Sequence, residues 1–273
     1  MKKGLFVLIL SVVTLFAYSD SDLDGVDDAL DKCPNTPITD LVDANGCSIK
    51  SVIIKERFDI IFGLSYSEIN YRLNEKTDTY TTSLQADYYR DNLSFQFSGS
   101  YYSSSDTAGY DKNGMNDTTI AAYYRWKPLS SLTVSTGFGI IFPTYESDLG
   151  NNKTDYSISI NPSYRIDDIN LFGGYSYTFI GDKDVVSGAS SIQYQNRSAY
   201  TLGIGYYFMP KLYASLSFYD SDSIFKGVED IKNISLYAFY TLDEHWFMTF
   251  SYANGLSDST SDNYLSARVG YAF

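Results

Sequence analysis

The chain has 273 residues, a net charge of −13 and an aromatic content of 17%. Mean hydropathy is −0.20, although 27 Tyr, 17 Phe and 19 Gly are present. No basic patch is available to track phosphates, which disfavours nucleic-acid binding. Beyond the N-terminus no run approaches the roughly 20 apolar residues of a membrane helix.

Residues 1–19 read as a secretory signal. Lys2 and Lys3 supply the charge, Leu5 to Ala17 form an apolar run too short to span a bilayer, and Ala17-Tyr18-Ser19 fits a small-x-small cleavage site.

Residues 20–50 form an acidic leader with eight Asp against Lys32 and Lys50, a net −6. Asp20, Asp22 and Asp24 fall at positions 1, 3 and 5 of an EF-hand-type loop. Gly25 falls at the turn position, the carbonyl of Val26 at 7, Asp28 at 9 and Asp31 at 12. Closely spaced carboxylates repel unless a cation neutralises them, and Ca²⁺ takes six to eight oxygens. The competing reading is a solvated acidic linker. Cys33 and Cys47 are the only cysteines. In an oxidising compartment they pair, closing a loop worth roughly 3 kcal/mol in the chain-entropy model; the alternatives are free thiols or an intermolecular bridge. The run Asp31-Lys-Cys-Pro-Asn-Thr-Pro37, followed by Val42-Asp-Ala-Asn-Gly-Cys47, resembles the thrombospondin type 3 repeat. The resemblance covers residues 20–48 and implies a calcium-loaded, rod-like segment.

From residue 51 to 273 the chain carries a net −9, and apolar residues recur at every second position. Leu93, Phe95, Phe97, Gly99 and Tyr101 alternate with Ser94, Gln96, Ser98 and Ser100; Tyr200, Leu202, Ile204, Tyr206 and Phe208 repeat the pattern. Twelve such segments begin near residues 57, 79, 93, 118, 132, 154, 169, 196, 212, 231, 246 and 263. Each offers roughly the 9–11 residues of a tilted membrane strand. Tight connections alternate with longer polar ones, as in outer-membrane barrels with short periplasmic turns. The expected fold is therefore all-β: a transmembrane antiparallel barrel of about 12 strands behind a short calcium-binding segment. An even strand number puts both barrel ends, and the leader, in the periplasm. Trp126, Trp246, Tyr66, Tyr101 and Tyr145 sit where interface girdles belong.

The last strand, Asn263 to Phe273, sets Leu265, Ala267, Val269, Tyr271 and Phe273 on one face. It resembles the C-terminal assembly signal of bacterial outer-membrane β-barrels. That resemblance implies outer-membrane lipid and lipopolysaccharide as surroundings and the barrel assembly machinery as a partner through Phe273.

Inward positions are mostly Ser, Thr, Gly, Asn and Gln. The charged exceptions are Arg57, Asp59, Asp87, Arg125, Lys127, Arg165 and Arg268. Because the last strand must pair with the first, an Arg268–Asp59 ion pair is expected at the seam. Inward aromatics include Tyr102, Tyr123, Phe172, Tyr207, Tyr213, Tyr219, Tyr237 and Phe239. Two readings compete: a charged constriction selecting small hydrophilic solutes, and a salt-bridged plug in a closed structural or adhesive barrel. The leader, tethered on the side of Arg57, Arg125, Lys127 and Arg165, is expected to brace or gate that mouth. Catalysis is not expected: His245, the single histidine, falls in a tight turn as a solvated residue.

Overall fold

The computed structural model describes residues 28, 31–33, 45, 47, 56–71, 75–107, 111–145, 153–187 and 190–273. The signal segment and Asp20, Asp22, Asp24 and Val26 lie outside these residues. The chain divides into two compact units, Met1–Lys55 and Glu56–Phe273, five residues beyond the expected boundary.

In the first unit Cys33 and Cys47 form the expected disulfide, with Cα atoms 4.9 Å apart. Lys32 donates its backbone N–H to the Asn45 carbonyl at 2.8 Å, laying the two stretches side by side. Asp31 Oδ1 accepts the Cys33 N–H at 2.7 Å.

The second unit is built of β1 (Glu56–Tyr71), β2 (Glu75–Arg90), β3 (Leu93–Asp106), β4 (Asp111–Met115), β5 (Thr118–Trp126), β6 (Leu132–Phe142), β7 (Asp155–Ile166), β8 (Ile169–Phe179), β9 (Val185–Ser187), β10 (Ser190–Ile192), β11 (Arg197–Met209), β12 (Leu212–Ser221), β13 (Ile231–Thr241), β14 (Trp246–Gly255) and β15 (Asn263–Ala272). Neighbours pair antiparallel, and β1 pairs with both β2 and β15. The sheet thus closes on itself through β1 and β15 and through β2 and β3, which removes the open edge between first and last wall strands. β4 and β5 share the partner β3 and form one interrupted wall strand, while β9 and β10 make a separate hairpin. The wall is therefore a closed antiparallel barrel of twelve strands, and every expected segment forms one of them.

The alternation has its physical basis in the pleat: successive side chains point to opposite faces. Phe62, Leu84, Phe95, Ile158, Leu202 and Leu236 stand exposed on the outside. Apolar surface on that scale needs lipid rather than water against it. Trp246, Tyr271 and Phe273 make edge-on ring contacts at 4.9 and 4.7 Å, and Phe58 lies 5.9 Å from Phe273. This cluster supplies one interface girdle beside the strand that closes the barrel.

The connections also divide as expected. One end carries the tight turns, including Asp91-Asn92 and Asp167-Asp168. Asp91 and Asp167 hold left-handed φ values of 51° and 50°, a conformation that short polar side chains tolerate. The other end carries the longer loops, and two of these are more ordered than their polarity suggests. The polar stretch before residue 118 contains β4, and the one before Gln195 contains the β9–β10 hairpin. In the first, Asn116, Asp117 and Thr118 oppose Gly99 and Ser100, a bulge. Asn116 donates its backbone N–H to the Ser100 carbonyl at 2.8 Å and its side-chain amide to Ser100 Oγ at 2.9 Å.

Candidate functional site: the barrel lumen

The inward face divides into two zones. In the half nearest the tight turns, charged and aromatic side chains form a ring. Arg57 and Asp59, two apart on β1, share the inward face, and Arg57 donates Nε to Oδ1 at 2.6 Å and Nη2 to Oδ2 at 2.8 Å. Asp59 stands opposite Asp87 in register, and both are buried, at 3% and 4% exposure. Asp87 is surrounded by neutral donors: Gln85 Nε2 at 2.8 Å, Gln96 Nε2 at 3.1 Å and the Tyr89 hydroxyl at 3.4 Å. The Tyr123 hydroxyl reaches Gln96 Oε1 at 3.5 Å.

Aromatics continue this ring around the opposite wall. The Arg165 guanidinium lies 4.3 Å over the Tyr207 ring and donates Nε to the Asp167 carbonyl at 2.8 Å. Tyr207 meets Tyr213 at 4.8 Å, and Tyr213 meets Tyr237 at 6.5 Å. Phe239 stacks on Phe247 at 5.5 Å, and the Arg57 guanidinium lies 5.8 Å from the Phe247 ring. Phe247, buried to 6% exposure, lies flat over Gly270, where a Cβ would collide with the ring.

The expected Arg268–Asp59 pair does not form. Asp59 is level with Ala272 across the seam, and Arg268 is level with Gly63, four residues further along β1. Arg268 instead crosses Gly63 and donates Nη2 to Gln85 Oε1 at 2.5 Å. Gln85 bridges the two charges: its oxygen accepts from Arg268 and its nitrogen donates to Asp87. Arg125 lies exposed near the end of β5, and Lys127 lies past that strand in the exposed turn, so neither joins the ring.

The half nearest the long loops is a vestibule of hydroxyls. A cavity of about 270 Å³ is lined by Ser65, Thr81, Ser83, Ser98, Ser100 and Ser266, with Gln85 and Arg268 at one end. It shares Thr81 and Asp117 with a second cavity of about 580 Å³ and Tyr264 with a third of about 440 Å³. Tyr145, placed toward the outer strand ends with its facing left open by Pro143, packs 5.6 Å from the buried, inward Tyr102 and lines the vestibule.

Arg197 and Phe247 are inward residues that the sequence pattern did not single out, as are Tyr89 and the buried Asp155. Arg197 donates Nε to Ser221 Oγ at 2.6 Å and a second hydrogen bond to the Tyr219 hydroxyl. Phe247 belongs to the ring. Both sit at the first or second position of a strand, where parity counted from Tyr200 or Phe250 assigns them inward. His245, expected to be merely solvated, bonds through Nδ1 to the Ala272 carbonyl at 2.8 Å and stacks on Tyr271 at 5.3 Å. Its ring ties the turn to the C-terminal strand, and a carbonyl partner makes Nδ1 the protonated donor.

No family model matches the chain. A stretch of 51 residues is 45% identical to outer membrane porin F of Pseudomonas aeruginosa; it covers 19% of this chain and 15% of that protein. The translocator domain of the autotransporter NalP from Neisseria meningitidis superposes with a TM-score of 0.54 at 12% identity, covering 80% of this chain and 88% of that one. The fold is that of an outer-membrane β-barrel. The KdgM porin gives a TM-score of 0.47 at 15% identity, covering 79% of this chain and 99% of that one. The NanC porin gives 0.49 at 16%, covering 79% and 98%. At 12% identity the likeness to the NalP domain is one of fold alone.

Proposed function

We propose that the chain is a passive outer-membrane channel for small hydrophilic solutes, preceded by a calcium-loaded periplasmic leader. The observation that carries the reading is the inner face itself: a hydroxyl-lined vestibule bordered by charges of both signs, Arg57 and Arg268 with Asp59 and Asp87. Opposed fixed charges at a constriction act on the polarity of what passes. In this reading the tight turns, the leader and the C-terminus face the periplasm, and the long loops face outward. The apolar belt contacts lipid and lipopolysaccharide, and Phe273 engages the barrel assembly machinery.

A second reading rests on the burial of Asp59, Asp87 and Phe247. A ring packed that well suits a closed structural or adhesive barrel that presents its loops and leader as contact surfaces. Planar-bilayer recording of the refolded chain separates the two. Discrete openings with ion selectivity support the channel; a silent bilayer containing folded protein supports the closed barrel.

A further inference from the structure

Arg268 stands out among the inward charges. Arg57 has Asp59, Arg165 has Tyr207 and the Asp167 carbonyl, and Arg197 has Tyr219 and Ser221. Arg268 has five N–H donors and one hydrogen bond among the described residues, to Gln85. Its Nε is buried without a partner, and no ion pair joins it to a described carboxylate.

The side chain is nonetheless held in place. It lies across Gly63, where a Cβ would stand 3.0 Å from Arg268 Cγ, 3.3 Å from Nε and 2.5 Å from Ser83 Oγ. Only a residue without a Cβ leaves room for the arginine stem and the serine together. Arg268 lines the 270 Å³ cavity together with Ser65, Ser83 and Ser266. The carboxylate in the same wall, Asp117, accepts the Tyr145 backbone N–H at 3.0 Å.

We propose that Arg268, seated on Gly63 and braced by Gln85, binds a small oxyanion at the vestibule floor, with neighbouring serine hydroxyls as further donors. A guanidinium edge matches carboxylate or phosphate oxygens in a two-pronged geometry, and hydroxyls complete such a shell. As a step in solute passage the site rests on the channel reading; as a binding site it does not.

The test uses the full chain refolded in detergent, with barrel formation of each variant confirmed by heat-modifiable gel mobility. Phosphorus NMR line broadening reads binding of inorganic phosphate. Wild type broadens the line, Arg268→Gln binds roughly tenfold more weakly, and Arg268→Lys recovers part of the loss. Reversal potentials across a KCl gradient give the second readout, and Arg268→Gln shifts them toward cation selectivity. Phosphate binding unchanged in Arg268→Gln overturns the site, whatever the conductance. Binding lost in Arg268→Gln with no wild-type openings supports the site and sinks the channel reading instead.

Discussion

Arg57 grips Asp59 from two positions away on one strand, through hydrogen bonds of 2.6 and 2.8 Å. The Asp59 side chain is 4% exposed while the Arg57 side chain is 47% exposed. Replacing Arg57 with Met leaves a buried carboxylate without its cation. The expected loss is roughly 2–3 kcal/mol, below the ~3–5 kcal/mol of a wholly buried pair, because solvent already screens Arg57. Asp59→Asn combined with Arg57→Met should restore much of it. Urea unfolding in lipid vesicles, followed by tryptophan fluorescence, measures both. Equal midpoints for wild type and Arg57→Met would show that the pair adds nothing.

The contact of Phe247 with Gly270 makes a second prediction. Gly270→Ala forces a methyl group into the space of the aromatic ring. Overpacking of this kind costs about 1–3 kcal/mol. Shortening the ring residue in the same chain, Gly270→Ala with Phe247→Leu, should recover part of that loss even though Phe247→Leu is destabilising alone. A double-mutant cycle by urea unfolding reads the coupling; additive effects would mean that the two residues do not share the space.

The barrel was legible in the sequence because two independent signals agreed. Period-2 alternation marked each wall strand, and the asymmetry between tight and long connections ordered them. Parity also placed Asp59, Asp87 and Arg268 inside. What parity cannot supply is the register between the first strand and the last, since their partners lie about 200 residues apart. The seam levels Arg268 with Gly63, and Asp59 therefore pairs with Arg57 instead. Polar loops misled for a related reason: Asp111 to Met115 looks like solvated linker, yet it pairs with β3 above the bulge at Asn116-Asp117.

Asp243 caps the turn between β13 and β14, where Oδ1 accepts the backbone N–H groups of His245 and Trp246, each at 2.8 Å. These bonds, Trp246 first, hold its carboxyl below the ordinary value of 3.8. A lowered value in the folded state favours the charged form, so the contribution is fully present above about pH 4. It is lost as the pH falls through the folded value. Asp243→Ala should therefore lower the thermal midpoint at pH 7, with the gap from wild type shrinking in strong acid. Asp243→Asn, which keeps an acceptor oxygen, should lie between them and lose the pH dependence. Thermal melts by circular dichroism across pH 2–7 test this; a gap that stays constant through strong acid would rule out the cap.

The proposed calcium site has a prediction that involves the disulfide. Asp31, the last proposed ligand, sits two residues before Cys33, and its carboxylate accepts the Cys33 N–H. The Cys33–Cys47 bridge and the Lys32 to Asn45 hydrogen bond together fix this end of the loop. Replacing both cysteines with Ser releases roughly 3 kcal/mol of loop ordering, part of which calcium must then supply. Affinity should fall by about tenfold. Asp22→Asn with Asp24→Asn removes two of the charged ligands and should abolish binding altogether. Calcium titration of the refolded full-length chain by calorimetry gives both values. One ion bound per chain in wild type, and none in the double Asp variant, is the expected result. Wild-type affinity in the Asp variant would make residues 20–31 a solvated linker.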